Sequence, residues 1–152
     1  MWYIRKAPVF RFDAGVYVAK DASPRRILFV DDEEGIRATL PLILKKRGFA
    51  VTAVGNVADA LSEVNRTKYD VLLSDLNIET PGDGFVVIAA MQLFCPKCIS
   101  FILTGYPALD TAVQAIRHGI ADYFTKPVEI QDLVDAINEK LKGHGKRRIK
   151  TD

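Results

Sequence analysis

Short apolar runs alternate with longer stretches of helical periodicity between residues 26 and 141. Short apolar runs bounded by turn residues are typical of buried strands, whereas apolar residues spaced three and four apart indicate a helix. The pattern predicts strands at residues 27–30, 50–54, 71–73, 99–103 and 121–124. It predicts helices at residues 33–47, from a cap at Asn56 to residue 64, and at 85–94, 108–118 and 130–141.

Strands that alternate with helices predict a parallel sheet, because each helix returns the chain to the same edge through a right-handed crossover. Strands that are apolar throughout indicate a sheet covered on both faces. We therefore expect an α/β fold of the flavodoxin-like class. It would be a doubly wound three-layer sandwich of five parallel strands in the order 2-1-3-4-5. The chain has 152 residues and is 49% hydrophobic, so one such domain, at residues 25–142, can bury a substantial core.

Both ends of the chain lie outside this alternation. At the N-terminus, residues 1–24 contain two β-type runs around residues 13–15, which could form a hairpin; a poorly ordered extension is an equally open alternative. The C-terminal residues 143–152 are rich in lysine, arginine and glycine. We expect them to form a solvated basic tail that does not contact nucleic acid directly.

Composition narrows the class of protein without naming its function. The net charge of +2, with 26% charged residues, gives no general reason to expect nucleic-acid or membrane binding. No apolar run approaches the roughly 20 residues that span a bilayer. The N-terminus also lacks the apolar core of a secretory signal. We expect a cytoplasmic protein.

Cys95 and Cys98 form a C-x-x-C motif, which raises a redox or metal-binding interpretation. Redox motifs of this kind usually follow a strand at a helix N-terminus, where the thiol pKa falls, but this one follows a helix. Two cysteines alone also cannot complete a four-ligand zinc site. We expect a structural role and leave reversible oxidation open.

Polar side chains follow four of the predicted strands at the point where each strand ends. Asp31 and Asp32 follow the first strand, Asp75 the third and Thr104 the fourth, and the fifth leads into Lys126. Ligands of open parallel sheets bind beyond these carboxyl ends, so we expect the side chains to converge. Three carboxylates repel one another unless a cation lies among them, and hard oxygen ligands suit Mg²⁺, with Mn²⁺ as the alternative. A carboxylate beside a metal and a lysine can attack phosphorus.

Five segments resemble, in this order, the CheY-like receiver domain of two-component response regulators. They are FVDDE at 29–33, LSDL at 73–76, PGDGF at 81–85, LTG at 103–105 and DYFTKP at 122–127. The resemblance covers about residues 26–141. It implies a phosphorelay signalling domain, a phosphoprotein rather than a conventional enzyme. Such a domain can catalyse its own phosphorylation from small donors and its own dephosphorylation.

The resemblance implies a phosphoacceptor and a metal site. Asp75 would accept a phosphoryl group, as an aspartyl phosphate, from a histidine kinase or a histidine phosphotransfer protein. Asp31, Asp32 and Asp75 would hold magnesium together with the backbone carbonyl of Asn77.

The resemblance also implies a switch. Thr104 and Lys126 would bind the phosphoryl group, and Tyr123 would move inward as Thr104 shifts. Pro127 would follow a cis peptide bond. The altered surface would comprise the fourth helix, fifth strand and fifth helix of the domain. It would act on an output protein or form a homodimer.

Two other functions are weighed against this one. A haloacid-dehalogenase-like phosphatase also uses an aspartyl phosphate, but it needs a second acid two residues after the nucleophile, where this chain has Asn77. A phosphate-independent binding module would not need the acidic pocket, which is intact. The sequence leaves open whether output comes from a partner protein or from the rest of a larger regulator.

Overall fold

A computed structural model of the chain describes residues 9–12, 15–18 and 23–147, with side chains from residue 23 to residue 143. The first described element is an antiparallel hairpin of β1 (Val9–Phe12) and β2 (Gly15–Val18). A hairpin is one of the two alternatives that the sequence leaves open for this part of the chain.

Five parallel strands form the main sheet, in the order β4-β3-β5-β6-β7. They are β3 (Arg26–Val30), β4 (Ala50–Val54), β5 (Val71–Asp75), β6 (Ile99–Thr104) and β7 (Asp122–Thr125). Numbered within this sheet, the order is the predicted 2-1-3-4-5. Asp75 pairs with Leu103 and Thr104 pairs with Thr125, so the carboxyl ends of three neighbouring strands meet at one edge.

Five helices connect and follow these strands. They are α1 (Glu34–Lys46), α2 (Val57–Arg66), α3 (Gly84–Phe94), α4 (Leu109–Arg117) and α5 (Ile130–Arg147). As predicted, Asn56 caps α2, and its side chain accepts a hydrogen bond from the backbone N–H of Asp59. Within the described residues, no helix is long and apolar enough to cross a membrane.

The fifth helix is longer than predicted. We expected it to end at residue 141 and a basic tail to begin at residue 143, but α5 continues to Arg147. Extending an existing helix costs little compared with nucleating one, so α5 continues through Gly143 and Gly145 although glycine is a poor helix former. The first basic residues of the expected tail are therefore helical.

Side chains of each strand alternate between two apolar layers, which is what a sheet covered on both faces requires. One layer contains Leu28, Leu72 and Ile102 of the sheet and packs against α2, α3 and α4. The other contains Phe29 and Phe101 and packs against α1 and α5. The domain is thus the predicted three-layer sandwich, and its polar groups are displaced to the strand ends.

Candidate functional site

Three candidate residues lie in or directly after strands whose carboxyl ends adjoin. Asp31 follows β3, Asp75 is the last residue of β5, and Thr104 is the last residue of β6. Asp31 and Thr104 are fully buried and Asp75 is 7% exposed. Buried carboxylates are costly unless they are paired, so this edge of the sheet needs a compensating charge.

Lys126, just beyond β7, supplies that charge. Its Nζ donates to Asp31 Oδ2 at 2.5 Å and to Asp75 Oδ2 at 2.9 Å. Burial alone would lower the pKa of Lys126, but the hydrogen bonds to the two carboxylates outweigh it and raise the pKa above its usual value. Burial raises the pKa of Asp75, although the ammonium opposes the shift. The lysine is therefore held as a cation between two acids.

Asp31, Asp32 and Asp75 also form a candidate cation site. One carboxylate oxygen of each lies within 4.8 Å of the others. Asp31 Oδ1 accepts a hydrogen bond from the backbone N–H of Glu33, at 2.9 Å, which orients the carboxylate. Mg²⁺ is a hard cation that prefers oxygen ligands and keeps several waters, so a donor set made only of carboxylate oxygens suits it. The donor set therefore fits the predicted metal.

A basic residue that the sequence analysis did not single out supports the acidic turn. Arg37 of α1 donates to the backbone carbonyls of Asp31, at 3.0 Å, and Asp32, at 2.7 Å. Its guanidinium fixes the turn without contacting either carboxylate in the described hydrogen bonds. The helical position of Arg37, one turn into α1, is the signal that could have indicated this contact.

Thr104 and Tyr123 are near each other in the fold but are not hydrogen-bonded to one another. Thr104 Oγ1 accepts a hydrogen bond from the backbone N–H of Tyr106, at 3.2 Å. The hydroxyl of Tyr123 lies 3.4 Å from Thr111 Oγ1 of α4. Tyr123 is half-buried and packs against the apolar layer under α4, so its predicted switching role stays a prediction. The peptide bond between Lys126 and Pro127 is cis, as expected.

The loop after β5 is organised by Asp83. Its carboxylate accepts three backbone N–H groups, from Ile78 at 2.7 Å and from Glu79 and Thr80 at 2.9 Å each. Burial alone would raise the pKa of Asp83, but these hydrogen bonds outweigh it and lower the pKa. Asp83 thus fixes the chain that runs directly past Asp75.

The side chain of Asn77 belongs to the same loop. The side-chain Oδ1 of Asn77 accepts a hydrogen bond from the backbone N–H of Gly82, at 2.8 Å, and the backbone N–H of Asn77 donates to Asp75 Oδ1, at 3.2 Å. The amide therefore has a structural partner across the loop. Binding of a metal ion by the backbone carbonyl of Asn77 remains a prediction.

Gly84, the first residue of α3, packs directly against the end of β5. A Cβ at this position would lie 2.1 Å from the backbone oxygen of Asp75. The backbone N–H of Gly84 donates to the carbonyl of Leu76, at 2.9 Å. The close approach of α3 to the phosphoacceptor candidate therefore depends on the absence of a side chain.

The C-x-x-C motif is not part of this site. Cys95 and Cys98 precede β6 and so lie toward the opposite end of that strand from Thr104. Both are free thiols; Cys95 is buried, and its Sγ lies 3.5 Å from the carbonyl of Tyr69. Burial raises the pKa of Cys98. These properties agree with a structural role.

Comparisons with known proteins match most of the chain to response regulators. The family model described as "Response regulator receiver domain" matches residues 27–138. The photosynthetic apparatus regulatory protein RegA of Cereibacter sphaeroides is 34% identical over 118 residues, which are 76% of this chain and 62% of RegA. The transcriptional regulatory protein GlrR of Escherichia coli is 34% identical over 118 residues, 78% of this chain but only 26% of GlrR.

Solved structures give the same result. A CheY-like response regulator receiver domain protein from Methanospirillum hungatei superposes with a TM-score of 0.77, at 27% identity, over 82% of this chain and 99% of that one. A beryllofluoride-activated NtrC4 receiver domain, described as a dimer, has a TM-score of 0.70 at 28% identity and covers 78% of this chain and 98% of that one.

Proposed function

This chain belongs to the response regulator receiver family, and on that premise we propose that Asp75 is the residue through which it is phosphorylated. The receiver domain is a signalling phosphoacceptor domain rather than a conventional enzyme. The observation that carries the assignment to Asp75 is its position. Of the three acids in the cluster, Asp75 is the one at the end of the central strand β5, where it accepts a hydrogen bond from Lys126 and adjoins the acidic turn of Asp31 and Asp32.

The proposed reaction transfers a phosphoryl group from the phosphohistidine of a histidine kinase or a histidine phosphotransfer protein. A carboxylate oxygen of Asp75 forms a bond to phosphorus, and the bond between phosphorus and the histidine nitrogen breaks. The histidine retains the electron pair of that bond and takes up a proton. Small phosphodonors such as acetyl phosphate would react in the same way, with acetate as the leaving group.

Asp31, Asp32, Asp75 and the backbone carbonyl of Asn77 would hold Mg²⁺, or Mn²⁺ in its place. When bound, the cation would help to neutralise the negative charge of the phosphoryl oxygens. The residues of the chain do the remaining work. Lys126 already donates to Asp75, so its ammonium is positioned to bind a phosphoryl oxygen on that side chain.

Thr104 would connect phosphorylation to the surface. Its hydroxyl can donate to a phosphoryl oxygen, while its Oγ1 accepts from the N–H of Tyr106 in the loop before α4. A movement of Thr104 toward Asp75 would therefore strain or break that contact. Tyr123, hydrogen-bonded to α4 through Thr111, would respond to the same displacement. This is a two-state element that phosphorylation could bias.

The output surface is proposed to comprise α4, β7 and α5. The outer face of α4 carries Leu109, Val113 and Ile116 at helical spacing, and they are 83%, 39% and 77% exposed. Tyr106, in the preceding loop, is 80% exposed. Apolar side chains grouped on one exposed helix face mark interaction surfaces. The surface would bind an output protein or a second copy of the chain.

The rest of the pathway follows from the family rather than from the site. The chain spans about a quarter of GlrR, so the activity of a whole regulator is not contained in the part described here. Output would come from a partner protein or from further domains of a longer regulator. The phosphatase alternative is disfavoured, because Asn77 offers an amide, bonded to Gly82, in place of its second acid.

Intact-mass measurement after incubation with acetyl phosphate and Mg²⁺ tests the proposal. Wild-type protein should gain one phosphoryl group, and Asp75→Asn should gain none while keeping its fold. Asp132→Asn, which changes an exposed acid on α5, is the matched control and should be phosphorylated like wild type. Full labelling of Asp75→Asn would show that another residue is the acceptor. If folded wild type stays unlabelled with acetyl phosphate and with histidine kinases, the phosphate-independent module becomes the better account.

A further inference from the structure

The carboxylate of Asp32 is held less directly than those of the other two acids in the cluster. Asp31 and Asp75 both accept a hydrogen bond from the ammonium of Lys126, and each accepts a second one from a backbone N–H. Asp32 is exposed, and within residues 23–143 its carboxylate takes part in no hydrogen bond or salt bridge. The position of this carboxylate therefore depends on the backbone that carries it.

The side chain of Arg37 holds that stretch of backbone. Its Nη1 donates to the carbonyl of Asp31 at 3.0 Å and to the carbonyl of Asp32 at 2.7 Å. These carbonyls belong to the two peptide planes on either side of the Asp32 Cα, and together the planes set the direction of its Cα–Cβ bond. Hydrogen bonds from a charged donor are about twice as strong as neutral ones. Arg37 thus determines where the Asp32 carboxylate can lie.

Gly55, directly after β4, provides the space in which the guanidinium lies. A Cβ at this position would lie 2.8 Å from Cζ, 2.9 Å from Nη1 and 3.1 Å from Nε of Arg37. These distances are shorter than the roughly 3.5–4.0 Å of an optimal contact, so an added methyl group would push the guanidinium away from the two carbonyls. Gly55 is not among the glycines with positive φ, so its backbone accepts alanine without strain. The need for glycine at this position therefore comes from Arg37.

We propose that Arg37, packed against Gly55, is a positioning residue that sets the Mg²⁺ affinity of the acidic cluster through Asp32. The inference rests on the proposed function, because it requires that Asp31, Asp32 and Asp75 hold the cation. A ligand that is already in place binds more tightly than one that the cation must first order. Residues that orient metal ligands typically change metal affinity by about 10-fold to 100-fold when they are removed.

The charge of Arg37 alone would have the opposite effect on cation binding. Arg37 forms no salt bridge within residues 23–143, so its guanidinium is a cation beside the site with no carboxylate paired to it. If it acted only through this charge, it would repel Mg²⁺, and removing it would strengthen binding. If it acts by holding the turn, removing it frees the Asp32 carboxylate and weakens binding. The direction of the change in affinity therefore distinguishes the two roles.

Titration of the ¹⁵N-labelled full chain with MgCl₂, followed through amide chemical shifts, measures this affinity without a phosphodonor. Arg37→Ala should bind Mg²⁺ about tenfold more weakly than wild type. Gly55→Ala keeps the charge of Arg37 but displaces it, and should also lose about tenfold. Gly35→Ala and Lys46→Ala are the matched controls and should stay within about twofold. A Cβ at Gly35 meets no atom within 4 Å, and Lys46 is exposed at the far end of α1.

The double variant Arg37→Ala/Gly55→Ala shows whether the two residues act together. If Gly55 acts through Arg37, the double variant should bind about as weakly as Arg37→Ala, because the guanidinium that the new methyl group would displace is gone. Independent effects would instead multiply to about 100-fold. The half-saturating Mg²⁺ concentration for phosphorylation by acetyl phosphate should rise about tenfold in each single variant, with a rate near that of wild type at saturating Mg²⁺. A merely structural role would lower stability in urea without this shift.

The outcomes separate this inference from the proposed function. Unchanged or tighter Mg²⁺ binding by Arg37→Ala, normal binding by Gly55→Ala, or multiplied losses in the double variant would each overturn the positioning role and leave phosphorylation of Asp75 intact. Wild-type protein that binds no Mg²⁺ would overturn the cation site of the proposed function, and the positioning role with it.

Discussion

Replacing Gly84 by alanine should disturb the acidic site from outside it. The added Cβ would lie 2.1 Å from the backbone oxygen of Asp75 and 2.9 Å from both the Cα and the backbone oxygen of Leu76. All three are backbone atoms, so no side chain can rotate away. To reach even a 3.0 Å separation from the Asp75 oxygen, α3 and the end of β5 must move apart by about 0.9 Å.

Two magnitudes follow from that displacement. Overpacking of this kind costs about 1–3 kcal/mol, and a rigid backbone contact points to the upper part of that range. A misplacement of about 1 Å at a reacting group can slow a reaction about 100-fold. We therefore expect Gly84→Ala to lose about 2–3 kcal/mol of unfolding free energy and to be phosphorylated by acetyl phosphate about tenfold to 100-fold more slowly.

Urea denaturation and the time course of intact mass measure the two effects separately. Gly35→Ala is the matched control, because a Cβ at Gly35 in α1 meets no atom within 4 Å. That variant should gain about 0.5–1 kcal/mol, as alanine favours a helix over glycine, and should keep its phosphorylation rate. If Gly84→Ala matched wild type in both stability and rate, the close packing of α3 on β5 would not position Asp75, and the reasoning would be refuted.

Three further predictions concern charged side chains and their hydrogen-bond partners. Asp83→Ala should destabilise the protein by about 1–2 kcal/mol at neutral pH. Because the pKa of Asp83 is lowered in the folded state, this difference in stability should shrink as the pH falls below the unfolded pKa of 3.8. Urea denaturation at several pH values would detect the change. Tyr69→Phe removes the hydroxyl that donates to Glu63 Oε2 at 2.6 Å, and this hydrogen bond is the main cause of the lowered pKa of Glu63. The variant should lose about 1–2 kcal/mol of unfolding free energy at neutral pH, and the loss should diminish below the unfolded pKa of 4.5. A loss that stays constant from pH 3 to 7 would contradict this prediction. Lys126→Met should lose about 3 kcal/mol of unfolding free energy without divalent cations. Added Mg²⁺ should stabilise this variant more than it stabilises wild type, because the cation replaces the missing charge beside Asp75. An equal stabilisation of both proteins by Mg²⁺ would count against the cation site.

Much of the fold could be predicted because hydrophobic periodicity is local and strong here. The strands are mostly apolar, and four of the five lead into a polar residue that the structure places at the same edge of the sheet. Asp31, Asp75 and Lys126 are far apart in sequence, yet the parallel topology alone requires their convergence. The composition of the acidic cluster followed from that requirement, whereas the order of the strands followed from the expected class of fold.

Other features could not be predicted because they depend on contacts between distant elements. The structure buries Glu63 of α2, whose charge is satisfied by Tyr69 and by Arg66 of the same helix. The hydrogen bonds that Asp83 accepts from three backbone N–H groups depend on the folded path of the loop, which the sequence pattern does not specify. The steric need for Gly84 likewise depends on the position of α3 against β5, which periodicity does not specify.

The most direct test of the central claim is to locate the phosphoryl group chemically. Wild-type protein phosphorylated with acetyl phosphate and Mg²⁺ is treated with sodium borohydride, which reduces an aspartyl phosphate to homoserine, and the tryptic peptides are then sequenced by mass spectrometry. The account predicts homoserine in place of Asp75, with Asp31 and Asp32 unchanged. Reduction at Asp31 or Asp32, or phosphorylated protein in which no aspartate is reduced, would contradict it.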